Sequence, residues 1–166
     1  MGEQARVLQA LVERELANVR DDRVIGHVRS LLVPPKPEAR PWDYGEAGQT
    51  FECWIVLAHT ASGTAIAYCD EGFGPKTPWG LLWLDSEGIK ASMGMDSGWF
   101  RTFIDAFFES FASAELPIWR VVEGSPPRLH FLSDEMSLEE ASAKAEALSL
   151  SYPKRRVWVH HSVRYR

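Results

Sequence analysis

The sequence predicts a single α+β domain, in which an N-terminal helical region and two later helices pack on a mainly antiparallel sheet. Three observations carry that expectation. Apolar residues recur at helical spacing near the N-terminus, after residue 98 and after residue 137, whereas residues 51–60 and 79–85 are short apolar runs of strand length. The first three strands are joined by turns and not by helices, which favours antiparallel pairing over a doubly wound α/β fold. The chain has 166 residues, 45% of them hydrophobic, which is one domain's length and enough to bury a core. The expected layout is a helical region over 1–33, a Pro-rich loop over 34–50, and a sheet with two helices over 51–166.

Residues 3–19 place Val7, Leu8, Leu11, Val12, Leu16 and Val19 on one helical face. Asp21 and Asp22 then open a second helix carrying Val24, Ile25, Val28, Leu31 and Leu32, and Pro34-Pro35 end it. Pro34, Pro35, Pro37, Pro41, Gly45 and Gly48 make 34–50 read as loop. Phe51–Thr60 is apolar on both faces, as in the middle of a sheet, and Ala61-Ser62-Gly63 turns it back into Thr64–Glu71. Pairing counted from that turn sets Cys69 against residue 54 or 55, so Cys53 and Cys69 are expected to be diagonal neighbours at best. Trp79–Asp85 is the third strand.

The strongest helical pattern runs from Gly98 to Ser113, with Trp99, Phe100, Phe103, Ile104, Phe107, Phe108 and Phe111 on its inner face and Asp96 or Ser97 as its N-cap. A short strand over Ile118–Glu123 and a Pro-rich turn over Gly124–Arg128 follow. Ser137-Leu138-Glu139-Glu140 is a capping box opening a helix to about Leu150, and Arg155–Tyr165 closes the chain as a strand.

Composition excludes several classes. Disorder, collagen and coiled coil do not fit the apolar content and the small net charge of −5. No window approaches the roughly 18 uncharged apolar residues of a spanning helix, so no membrane role is expected. Two cysteines and no signal peptide after Met1 point to a cytoplasmic protein with reduced thiols. The net charge resolves into +5 over residues 154–166 and −10 over the remainder. The acidic body argues against nucleic acid as a partner. No phosphate loop, dinucleotide fingerprint, HExxH or nucleophile elbow occurs, so no cofactor is expected. His160 and His161 fall on opposite faces of a strand, which argues against joint chelation of an ion, and no metal site is expected.

The segment that stands out is Tyr68–Gly80. A strand ends in Asp70 and Glu71, and a loop stiffened by Pro75 and Pro78 then presents Phe73 and Trp79. Two readings stand. Phe73 and Trp79 fold inward as a lid on the core, or they form a recognition surface. The leading functional expectation is a non-catalytic binding or accessory protein that uses this loop toward a protein partner, with Asp70, Glu71, Phe73, Trp79 and Asp96 as binding residues. The alternative is a small enzyme in which Asp70, Glu71 and Asp96 converge as an acid/base or metal site. Trp42 and Trp79 are the tryptophans in or beside loops, whose placement bears on function.

The run Ala67–Pro75, with Pro78-Trp79-Gly80 and Ser92–Phe100, resembles segments of small bacterial proteins without an assigned function. That resemblance implies a bacterial cytoplasmic protein and brings no activity, ligand or catalytic residue with it.

Overall fold

Helix α1 (Glu3–Leu16) buries Ala5, Leu8, Val12 and Leu16, the spacing that puts one stripe of a helix against a core. Helix α2 (Asp22–Leu31) starts where the Asp21 side chain accepts the Arg23 N–H at 2.9 Å, and it buries Val24 and Val28. The computed structural model describes residues 2–85 and 87–162.

From α2 the chain passes directly into strand β1 (Leu32–Pro41), where a loop was expected. The prolines are tolerated because β1 is the edge of a five-stranded antiparallel sheet in the order β1-β2-β3-β4-β5, where a missing N–H leaves no partner strand unsatisfied on the open side. The register against β2 shifts between Leu32 and Lys36, the interval that holds Pro34 and Pro35, and then runs regularly from Lys36↔Ile55 to Pro41↔Thr50. Arg40, with 0% of its surface exposed, donates to Glu38 at 2.7 Å and to the Trp83 carbonyl at 3.1 Å. It thereby ties β1 to the far end of β4.

Strands β2 (Thr50–His59), β3 (Thr64–Tyr68) and β4 (Trp79–Trp83) form the predicted meander. A bulge in β2 alters its register. His59↔Thr64 and Leu57↔Ile66 follow the turn, but beyond the extra residue the pairs are Ile55↔Ala67 and Trp54↔Tyr68. One more step brings Cys53 opposite Cys69, which corrects the diagonal placement expected from the turn alone.

The long aromatic helix expected over 98–113 is divided. Asp96–Gly98 is a 3₁₀ turn, Trp99–Phe100 form β5 against β4, and only then do helices α3 (Phe103–Phe108) and α4 (Phe111–Ala114) begin. Trp99 pairs with Gly80, whose missing Cβ leaves room for the indole, and the Trp99 Nε1–H donates to the Met93 carbonyl at 2.9 Å. Strand pairing plus this bond outweigh the helical pattern at Trp99 and Phe100. The cap of α3 is therefore Thr102, whose hydroxyl accepts the Asp105 N–H at 3.0 Å, and not Asp96 or Ser97. Glu15 reaches across from α1 to accept the Ile104 N–H at 3.1 Å. Between α3 and α4 the Ser110 and Ser113 hydroxyls bond the Phe107 and Phe108 carbonyls, diverting acceptors from a continuous helix.

A second antiparallel sheet, in the order β7-β6-β8, is built from β6 (Trp119–Ser125), β7 (Arg128–Phe131) and β8 (Val157–His161). The turn expected over Gly124–Arg128 is the tip of the β6–β7 hairpin. Helix α5 (Leu138–Ser151) packs on this sheet through Ala141 and Ala145, and the Ser137/Glu140 capping box is formed.

The chain is thus an α+β fold with two antiparallel sheets and two cores. The larger core gathers α1, α2, α3, Ile66 and Trp79. The smaller, on the other face of the first sheet, holds Cys53, Ile55, Ala65, Ala67, Cys69, Leu82, Met93 and Trp99.

Candidate functional site

The loop after β3 is closed by three internal hydrogen bonds. The Cys69 N–H donates to the Pro78 carbonyl at 2.8 Å, the Gly74 N–H to the Glu71 carbonyl at 3.0 Å, and the Thr77 hydroxyl to the Phe73 carbonyl at 2.9 Å. Gly72 has φ +63°, and a Cβ there would lie 3.0 Å from the Trp42 ring, so glycine serves both the turn and the close approach.

Trp79, expected among the binding residues, is a core residue. It is 1% exposed, with its ring edge-on to Tyr68 at 5.1 Å and Phe103 at 5.3 Å. As the first residue of β4 its side chain points to the large core, so the inward reading holds for it. Phe73 lies between the two readings. It is half-buried against the small core, 5.6 Å from Trp99, and stacks edge-on to Trp42 at 4.7 Å and Tyr44 at 5.5 Å. Tyr44 itself is 60% exposed.

Asp70, Glu71 and Asp96 are exposed, and their carboxylates make no hydrogen bond or ion pair among the described residues. The structure does not gather them into a metal-holding group. No cluster of three or more His, Cys, Asp or Glu fit for a metal occurs among the described residues.

The loop 70–78 and the loop after β1 meet through the Trp42–Phe73 contact. Together they carry Asp43, Glu46, Asp70 and Glu71, all exposed and unpaired among the described residues, against one exposed cation, Lys76, and the two loops also supply the rings of Trp42, Tyr44 and Phe73. The sequence reading reached Phe73 and Trp42 but not Tyr44, whose only local signal is its neighbour Trp42.

A second region was not anticipated. Two clefts of about 460 Å³ each flank the end of β8, and both are lined by His160 and His161. His161 pairs with Trp119 and stacks on Phe108 at 4.3 Å, while His160 pairs with Arg120 and meets Trp158 at 5.3 Å. Strand alternation holds for their backbone positions. Yet the two rings lean together to 5.2 Å with 17° between their planes, which corrects the expectation that they stay apart on opposite faces. Burial lowers the pKa of both, and with His160 beside it His161 drops to about 4.

Two carboxylates that line one cleft, Asp21 and Glu135, are both engaged by Arg23, which donates to both oxygens of Asp21 and, at 2.7 Å, to Glu135. The Ser162 hydroxyl donates to the other oxygen of Glu135. Hydrogen bonds from Arg23 hold both carboxylates below the usual range. The basic C-terminal stretch is partly neutralised, since Arg155 forms a two-pronged pair with Glu123; residues 163–166, with Arg164 and Arg166, lie outside the described residues.

No helix among the described residues is long and apolar enough to cross a membrane. No family model, curated protein or solved structure matches the chain.

Proposed function

We propose that the chain is a non-catalytic binding protein that receives a basic segment of a protein partner on the surface formed by Trp42, Tyr44 and Phe73. The observation that carries this reading is the pairing of an exposed aromatic ring with unneutralised acids. Tyr44 keeps 60% of its surface in solvent, within 5.5 Å of Phe73, and the two loops that carry these rings hold four acids that form no ion pair among the described residues, Asp43, Glu46, Asp70 and Glu71, against the single cation Lys76. A Lys or Arg side chain gains from both features, by stacking over the rings and by charge complementarity. Loop closure by internal hydrogen bonds supports the reading, since a preorganised surface loses less entropy on binding. Asp96 lies in the 3₁₀ turn Asp96–Gly98, outside these two loops, and the proposal does not rest on it.

The test is NMR titration with a Lys/Arg-rich peptide. Signals of Trp42 and Tyr44 are expected to shift first, the affinity to fall with salt, and binding to be lost in the Tyr44→Ala and Asp43→Lys variants at unchanged melting temperature. Shifts centred elsewhere, or undiminished binding by Tyr44→Ala, would refute the proposal.

A further inference from the structure

We propose that the cleft between the α1–α2 junction and the end of β8 is a binding site for a small organic oxyanion, a phosphate monoester or carboxylate attached to a planar group. The polar side of the cleft is lined by two arginines and two carboxylates, and the carboxylates are the groups already satisfied. Arg20 and Arg120 line it together with Asp21 and Glu135, and Arg23, outside the lining, pairs with the last two. With Arg23 neutralising the carboxylates from outside the lining, Arg20 and Arg120 are the charges that face the cleft. The carboxylates are already engaged, since Asp21 takes two donors from Arg23 and Glu135 takes donors from Arg23 and Ser162. Their remaining repulsion toward an anion is correspondingly reduced.

The two lining arginines are the groups left over. Arg20 makes no ion pair or side-chain hydrogen bond among the described residues. Arg120 approaches Glu135 only to 3.8 Å, and its Nε–H is buried with no acceptor. A buried charged donor without an acceptor is costly, and an oxyanion in the cleft would supply one in the geometry that guanidinium groups favour.

The apolar side fits a ring. The Arg120 guanidinium lies 5.0 Å over Phe131, and the near-parallel rings of His160 and His161 form the facing wall. The cleft volume of about 460 Å³ exceeds what a bare phosphate fills and lies within the ordinary range for small organic ligands.

Calorimetric titration with phenyl phosphate, benzoate and inorganic phosphate, at low salt, tests the site. One of the two aromatic anions is expected to bind with Kd below about 1 mM, and the tighter of them identifies the headgroup. Arg120→Gln and Arg20→Gln are each expected to weaken it about tenfold or more. Arg20 is exposed, so its replacement leaves the melting temperature unchanged and separates lost binding from lost folding. Glu71→Lys, on the other surface, should leave this affinity intact. The inference is overturned if neither aromatic anion binds at about 10 mM, if inorganic phosphate binds as tightly as phenyl phosphate, or if Arg20→Gln binds like the parent.

Discussion

Continuing the Trp54↔Tyr68 register by one residue sets Cys53, on β2, opposite Cys69, just past the end of β3, and both thiols are free and buried in the smaller core. The Cys69 N–H points away from β2, to the Pro78 carbonyl, so the two cysteines form a non-hydrogen-bonded pair, the type in which side chains approach most closely. The influence of each thiol on the other holds Cys69 below its usual pKa and, with burial, pushes Cys53 up. The pair is therefore placed for a disulfide. Hydrogen peroxide is expected to take two protons and two electrons from the thiols, giving one S–S bond and two waters. Mass spectrometry of non-reduced peptides should find residues 53 and 69 linked, and Cys69→Ser should abolish the link. Both thiols remaining free to a thiol reagent after unfolding would contradict it. In the chain-entropy account, closing a loop of this length stabilises the fold by about 3 kcal/mol.

Trp79 and Tyr44 are expected to respond in opposite ways. Trp79→Ala opens a cavity beside Phe103 and Tyr68 and should cost about 3–5 kcal/mol in urea unfolding. Tyr44→Ala removes a ring that is 60% exposed and should change stability by about 0.5 kcal/mol or less. Equal losses would place Tyr44 in the core and remove the basis for the proposed surface.

Arg40 joins Glu38 and the Trp83 carbonyl inside the protein. Arg40→Met leaves that carbonyl and a partly buried carboxylate without their donor and should lower stability by about 2–4 kcal/mol. The exposed Arg29–Glu13 pair provides the comparison, and Arg29→Met should leave the unfolding midpoint in place.

His161 should make the fold sensitive to mild acid. Its folded pKa of about 4 lies below the unfolded value near 6.5, so the unfolded state takes up protons first. The stability it contributes is complete above pH 6.5 and is lost as pH falls toward 4, and His160 acts in the same direction. Between pH 7 and 5 the histidines should lower the unfolding free energy by about 1–2 kcal/mol, while Glu15, whose carboxyl is raised by burial, acts in the opposite direction. Replacing His161 with Phe should reduce that slope. An unchanged slope would assign it to other groups.

The capping box at Ser137 was legible because all its parts lie within four residues, and Ser137→Ala should cost about 1 kcal/mol, checked by thermal unfolding. Helices α1, α2 and α5 and the β2–β3–β4 meander were legible for the same reason. Their periodicity and turns are local. The candidate surface was half legible. Phe73, Asp70 and Glu71 were visible as one loop, whereas Tyr44 joins them only because the two loops meet in space.

Local patterns along the chain carry the fold class, the meander and the helices whose apolar stripes match a helical period. Tertiary structure decided the remainder, and in each case by a competition that local patterns do not record. Prolines made β1 read as loop until its edge position removed the penalty for their missing N–H groups. The same holds for Trp99 and Phe100, which leave a helical pattern because pairing with β4 and the bond to Met93 outweigh it. A single extra residue in β2 moved Cys53 across from Cys69, because a one-residue shift changes every pairing beyond it. The cleft beside His160 draws Arg20, Arg120 and Glu135 from three distant stretches of chain, and only the tertiary fold brings them together, with Arg23 bridging from the start of α2 to the Pro117 carbonyl and Glu135.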